Sequence, residues 1–166
     1  MQFFKKHNAV LLKLVVLEWS KFLEYLNVGL PRLIQKIEGD EVKRGNLMRF
    51  KKVLKNYCKN CFYCEKPLDN TIGIQVEHVI PFDYIAEDDI WNLVLACQSC
   101  NCTKLGALPP SKFITKLVKR NRNPEKIPGL QKSLHQLSTK FEVTVCKHYE
   151  NAKLQGYGVL EENFYK

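Results

Sequence analysis

The sequence has no apolar run of about 20 residues free of charge, so it offers no membrane-spanning helix. The longest apolar stretch, 9–17, contains Lys13 and is followed by Glu18 and Lys21. The same interruption argues against a signal peptide, and a cytoplasmic location with no membrane partner is expected. Internal repeats and low-complexity tracts are absent, which excludes solenoids and disordered linkers. Two charge absences are more specific. No Asp or Glu occurs from Val42 to Cys64, and no Lys or Arg from Pro67 to Thr103.

What is present is a chain of 166 residues, 45% hydrophobic, with a formal net charge of +9. That size suits one domain, or a small core with helical additions. The charge fits a polyanionic partner, nucleic acid being the commonest, and fits a soluble basic protein equally well. The basic-free stretch holds Asp69, Glu77, Asp83, Glu87, Asp88 and Asp89. A surface that only bound nucleic acid would avoid such an island, whereas a divalent cation beside a phosphate would offset it. Lys104 reopens the basic sequence, which runs on through Lys112, Lys116, Lys119, Arg120, Arg122 and Lys126.

Hydrophobic periodicity predicts an amphipathic or mostly buried helix over 9–26, carried by Val10, Leu14, Leu17, Phe22 and Leu26. Short helical stretches follow over 31–37 and 41–57, the second with a basic side bearing Lys51, Lys52 and Lys55. A helix is expected over 111–121 after Pro109-Pro110, and another from 130 to about 155. Within that last span Glu142-Val143-Thr144-Val145 is locally β-like. The expected organisation is a helical N-terminal region (1–57), a central core (58–110) and a mostly helical extension (111–166).

Seven cysteines is an odd number, and in a reducing compartment metal binding precedes disulfide formation. Cys61/Cys64 and Cys97/Cys100 form two C-x-x-C pairs with 32 residues between them. Four thiolates suit a tetrahedral structural Zn²⁺, which leaves no position open for chemistry. The alternative is a set of buried free thiols. Cys58 and Cys61 also form a C-x-x-C pair. Cys61/Cys64 is preferred, because Phe62-Tyr63 fills a knuckle and Glu65-Lys66-Pro67 makes an exit turn. Cys58, Cys102 and Cys146 read as bystanders.

Between the pairs lie Glu77-His78-Val79-Ile80-Pro81 and Trp91-Asn92-Leu93, and Asn101 and Lys104 follow Cys100. In this order and at these spacings the motifs resemble an HNH endonuclease of the zinc-ribbon type, over about 58–110. The resemblance implies an α+β fold: a small ββα-metal core with a four-Cys zinc site, flanked by N- and C-terminal helices. The first strand would span about 73–79, the second about 93–96, with a loop through 83–89 between them and a helix from near Cys100. It also implies that His78 is the general base and that Glu77 and Asn101 hold a catalytic metal. Asn92 would fix the loop behind His78 through backbone hydrogen bonds. Two departures stand out: Glu77 occupies a place where many members have Asp, and Asn101 one where many have His.

The chemistry of the residues agrees. A neutral imidazole with an ordinary pKa near 6.5 suits proton abstraction at neutral pH. A carboxylate and an amide oxygen are hard ligands suited to Mg²⁺ or Mn²⁺. Neighbouring strand residues point to opposite faces. For Glu77 and His78 to converge on one phosphate, either the strand distorts or one residue acts through its end. The expected activity is divalent-metal-dependent DNA cleavage, in restriction or another defence role. The competing reading is a non-catalytic zinc module that binds nucleic acid, or a nuclease subunit of a larger complex. One such site cuts one strand, so double-strand cleavage would need a homodimer or a partner subunit. Lys51, Lys52, Lys55, Lys104 and Lys112 are the expected nucleic-acid contacts, Lys104 being equally readable as a solvated helix residue. Trp19 and Trp91 read as core. His7, His135 and His148 receive no role.

Overall fold

The structure, a computed structural model, describes residues 5–26, 45–68, 73–163 and 165. The expected helix over 31–37, the start of that over 41–57, and Asp69 lie outside these residues. The described elements run α1 (Asn8–Leu26), α2 (Met48–Tyr57), β1 (Ile74–His78), α3 (Phe82–Ile85), β2 (Leu93–Cys97) and α4 (Gln98–Lys104). They continue with α5 (Ser111–Asn121), a 3₁₀ turn (Pro124–Lys126), α6 (Leu130–Leu137) and α7 (Phe141–Leu154). None of the described helices is long and apolar enough to cross a membrane.

β1 and β2 pair antiparallel, from Ile74 opposite Cys97 to His78 opposite Leu93. Every residue of β2 is buried, because its Leu-Val-Leu-Ala-Cys sequence is apolar on both faces. α4 begins at the residue after β2, so the second Cys pair straddles the strand–helix junction. This is the ββα-metal arrangement with helices around it, and the expected fold class holds.

The C-terminal helices pack into the same core. α5 buries Phe113, Ile114, Leu117 and Val118, an i, i+1, i+4, i+5 stripe. The single helix expected from 130 to 155 is two. Ser138 has an extended backbone, and its hydroxyl accepts the N–H of Lys140 at 3.1 Å, a local bond that competes with the helical ladder. The β-like stretch Glu142–Val145 is helical, since Thr144 and Val145 face the core and packing overrides propensity.

α1 corrects an expectation. It is helical over the predicted span, yet Val10, Leu14 and Phe22 are exposed. Trp19, expected in the core, is 59% exposed and lies against Phe22 at 5.6 Å between ring centroids. A helical period fixes a helix, but it does not say what covers the apolar side. Trp91, in contrast, is 1% exposed.

Candidate functional site

The Cys61–Cys64 knuckle is built locally. Cys61 N–H donates to the Lys66 carbonyl at 2.8 Å, and Glu65 N–H donates to the Cys61 carbonyl at 3.0 Å. Glu65 adopts the left-handed region (φ 61°) that closes this turn. The sulfurs of Cys61, Cys64, Cys97 and Cys100 all lie within 4.8 Å of one another. Cys64 and Cys97 are 3.9 Å apart, close to the ~3.8 Å expected between thiolates on a tetrahedral zinc. Cys58, half-buried, and the exposed Cys102 and Cys146 stand outside this cluster.

The thiols differ in their electrostatics. Burial raises the Cys61 thiol, but N–H groups of Cys97, Cys64 and Tyr63 outweigh it and bring it below its ordinary value. Burial pushes Cys64 and Cys100 up, Cys100 by far the more. Four sulfur ligands in so small a volume could hold a metal ion, and a soft-ligand tetrahedron suits zinc.

His78 is the last residue of β1 and is 4% exposed. Its Nε2 lies 3.0 Å from Oδ1 of Asp88, and its ring meets Phe82 edge-on at 5.3 Å. The other oxygen of Asp88, Oδ2, accepts the Gly45 N–H at 2.7 Å. Asn92 is fully buried. Its Oδ1 accepts the Ile80 N–H at 2.9 Å and its Nδ2 donates to the Ile80 carbonyl at 2.8 Å. The Val79 N–H donates to the Asn92 carbonyl at 2.9 Å. The turn leaving His78 is thereby clamped to the turn entering β2.

Glu77 belongs to the other face of β1, and its Oε1 accepts Lys104 Nζ at 2.9 Å. The pairing register stays regular through Glu77 and His78, so the strand does not distort; the chain turns only after His78. The two side chains take separate partners, Lys104 and Asp88. Lys104 is 1% exposed and ion-paired with Glu77, so it is not the solvated helix residue of the alternative reading. Asn101 sits one helical turn before Lys104 on α4 and is half-buried. Their i, i+3 spacing sets them on one side of that helix.

The other expected DNA contacts differ among themselves. Lys52 of α2 is exposed, and Lys51 and Lys55 are half-buried. Lys112 is held by Glu162, through both its carboxylate and its carbonyl at 2.8 Å.

Several residues of the site carry no sequence motif. Arg120 donates to the carbonyls of Ile90, Trp91 and Leu93, and Asn121 Nδ2 to that of Trp91 at 3.0 Å. Ser133 Oγ accepts the Trp91 N–H at 3.3 Å. Burial lowers the Arg120 guanidinium to about 10, so it remains charged at neutral pH. In sequence Arg120 is one of many basic residues, and nothing marks it. Asp88 is one of three consecutive carboxylates, 87–89, whose spacing does not say which reaches His78.

A two-stranded sheet running straight into a helix, with a four-thiol cluster at the junction, defines a small ββα-metal core. Residues 58–105 match the family model described as HNH endonuclease, as the motifs had suggested. No curated protein matches the sequence. At the level of the family, the matched core is nuclease-type and metal-binding.

Proposed function

We propose that the protein is a divalent-metal-dependent DNA endonuclease with His78 as general base. The observation that carries this reading is the double clamp of Asn92 on Ile80. It fixes the turn directly after His78, inside the stretch that matches the HNH model. His78 takes a proton from water as the water oxygen bonds to phosphorus. The bond from phosphorus to the leaving oxygen breaks, and that oxygen gains a proton from solvent.

Glu77 and Asn101 are the residues that would hold Mg²⁺ or Mn²⁺. Both offer hard oxygen donors, and Lys104 meets Glu77 through Oε1. The chemistry such an ion supplies when bound is charge stabilisation at the scissile phosphate. Cys61, Cys64, Cys97 and Cys100 would hold a structural Zn²⁺, distinct from that ion. The basic α2 helix suits the DNA backbone, and restriction or a related defence role fits such an enzyme.

Supercoiled plasmid incubated with purified protein, with and without Mg²⁺ or Mn²⁺, tests the reading. Nicked or linear product is expected only with the ion, and His78→Ala should slow it by about 10²-fold or more. Equal cutting by His78→Ala would sink the mechanism.

A further inference from the structure

Asp88 stands between two partners of different kinds. One oxygen meets His78 Nε2 at 3.0 Å, and the other accepts the Gly45 N–H at 2.7 Å. The Asp88 side chain is 13% exposed and that of His78 is 5% exposed, so bulk water competes poorly for the bond between them. An ionised carboxylate can only accept hydrogen bonds. The bond to His78 therefore requires the imidazole proton on Nε2. In the neutral ring the lone pair, and with it the basicity, then lies on Nδ1.

Gly45 makes the arrangement directional. A Cβ at this position would sit 2.7 Å from Asp88 Oδ2, so a side chain here would push the carboxylate aside. With no side chain here, the backbone N–H meets the carboxylate without displacing it. That N–H needs an acceptor, and it holds the carboxylate plane while Oδ1 faces the histidine.

We propose that Asp88 is the positioning carboxylate of His78. Anchored by Gly45, it fixes the Nε2–H tautomer and directs the basic nitrogen Nδ1 to the reacting water. The inference rests on reading His78 as the general base. Asp88 itself touches no reacting atom.

The chain of bonds gives an unusual expectation for Asp88→Asn. Gly45 N–H still demands an acceptor, so the amide oxygen turns toward Gly45. The amide NH₂ then faces His78 and can only donate. The imidazole must accept at Nε2, and its proton moves to Nδ1. The variant keeps size and contacts but holds the base in the wrong tautomer, a change that elsewhere costs orders of magnitude in rate.

The experiment combines nitrogen-15 NMR of the His78 ring with plasmid-cleavage kinetics, on the whole chain with zinc retained. The parent should show Nε2–H, and Asp88→Asn should show Nδ1–H. Its kcat should fall by about 100-fold or more, with KM for DNA and the metal requirement within about twofold of the parent. Gly45→Ala keeps the carboxylate but displaces it, and should give a smaller loss with a mixed tautomer signal. An unchanged tautomer in Asp88→Asn, or parental kcat, overturns the proposal. So does a loss that added metal restores, since that would make Asp88 a metal ligand. A parent that shows Nε2–H but cuts no DNA overturns the nuclease reading, and with it the catalytic meaning of the bond. A cutting parent with Nδ1–H sinks this proposal alone.

Discussion

Asn92 uses both ends of its amide on one residue, Ile80, and no water reaches it. Asn92→Ala removes both bonds and leaves a buried N–H and a buried carbonyl unpaired. The expected cost is about 2–6 kcal/mol, since each of the two orphaned groups costs about 1–3 kcal/mol. The urea midpoint should fall with an unchanged slope. Cleavage by the folded fraction should fall too, because His78 hangs from the turn that Asn92 secures. Asn92→Asp is a sharper probe. A carboxylate can still accept from the Ile80 N–H, but it cannot donate to the Ile80 carbonyl, so it should also destabilise. If Asn92→Asp were as stable as the parent, the clamp would not be a two-bond device. Lys104 belongs to the same scale. Buried against Glu77, it leaves an unpaired carboxylate when replaced by Met, a loss more costly than an exposed pair would suggest.

At the scale of elements, the turn from Ile90 to Leu93 is held from outside by α5. The guanidinium of Arg120 spans three carbonyls, which one ammonium cannot do. Arg120→Lys should therefore cost about 1–3 kcal/mol in urea unfolding, despite keeping the charge. A Lys variant with parental stability would show that charge alone matters there. The four-cysteine knuckle, read as a zinc site, is the second element-scale device. A chelator strong enough to take zinc should abolish the cooperative thermal transition, while one mild enough to take only Mg²⁺ should leave it in place. The sign with pH follows from the ligands: thiolates must be deprotonated to hold zinc, so acidification releases it and destabilises the fold.

Much of this level was legible in the sequence. Two C-x-x-C pairs, a Glu-His and the flanking apolar runs are local chemistry; they carry the family resemblance that implies the ββα order, and the Pro109-Pro110 break marks the start of α5. Other elements were not legible, for identifiable reasons. The break between α6 and α7 depends on one Ser138 hydroxyl turning back on the chain. The pairings of Asp88 with Gly45 and of Arg120 with the 90–93 turn span 43 and about 30 residues, respectively. No periodicity reports interactions at that distance. The same limit explains Lys104: its sequence neighbours say helix, and only the fold says that the helix faces Glu77.

For the whole molecule, the charge pattern predicts salt-dependent association. α2 presents Arg49 and Lys52 to solvent. Removing one lysine that neutralises a phosphate should reduce the slope of log affinity against log salt by about 0.9. Lys52→Gln should show that reduction, and Lys104→Gln should not, because Lys104 is buried against Glu77. Equal slopes for the parent and Lys52→Gln would place the DNA elsewhere. The molecule also folds back on itself along its length. The Leu108 N–H donates to the Gly158 carbonyl at 2.8 Å, and the Leu160 N–H donates to the Leu108 carbonyl at 2.9 Å. Tyr165 stacks on Tyr63 of the zinc knuckle, with ring centroids 4.6 Å apart and planes 12° from parallel. This feature sets an order in time. Ribosomes make Cys61 through Cys100 well before Tyr165, so the four-cysteine cluster can form while one of the rings packed on Tyr63 is still missing. During that interval of synthesis Tyr63 lacks its stacking partner, and the thiols are most open both to arriving zinc and to passing oxidants.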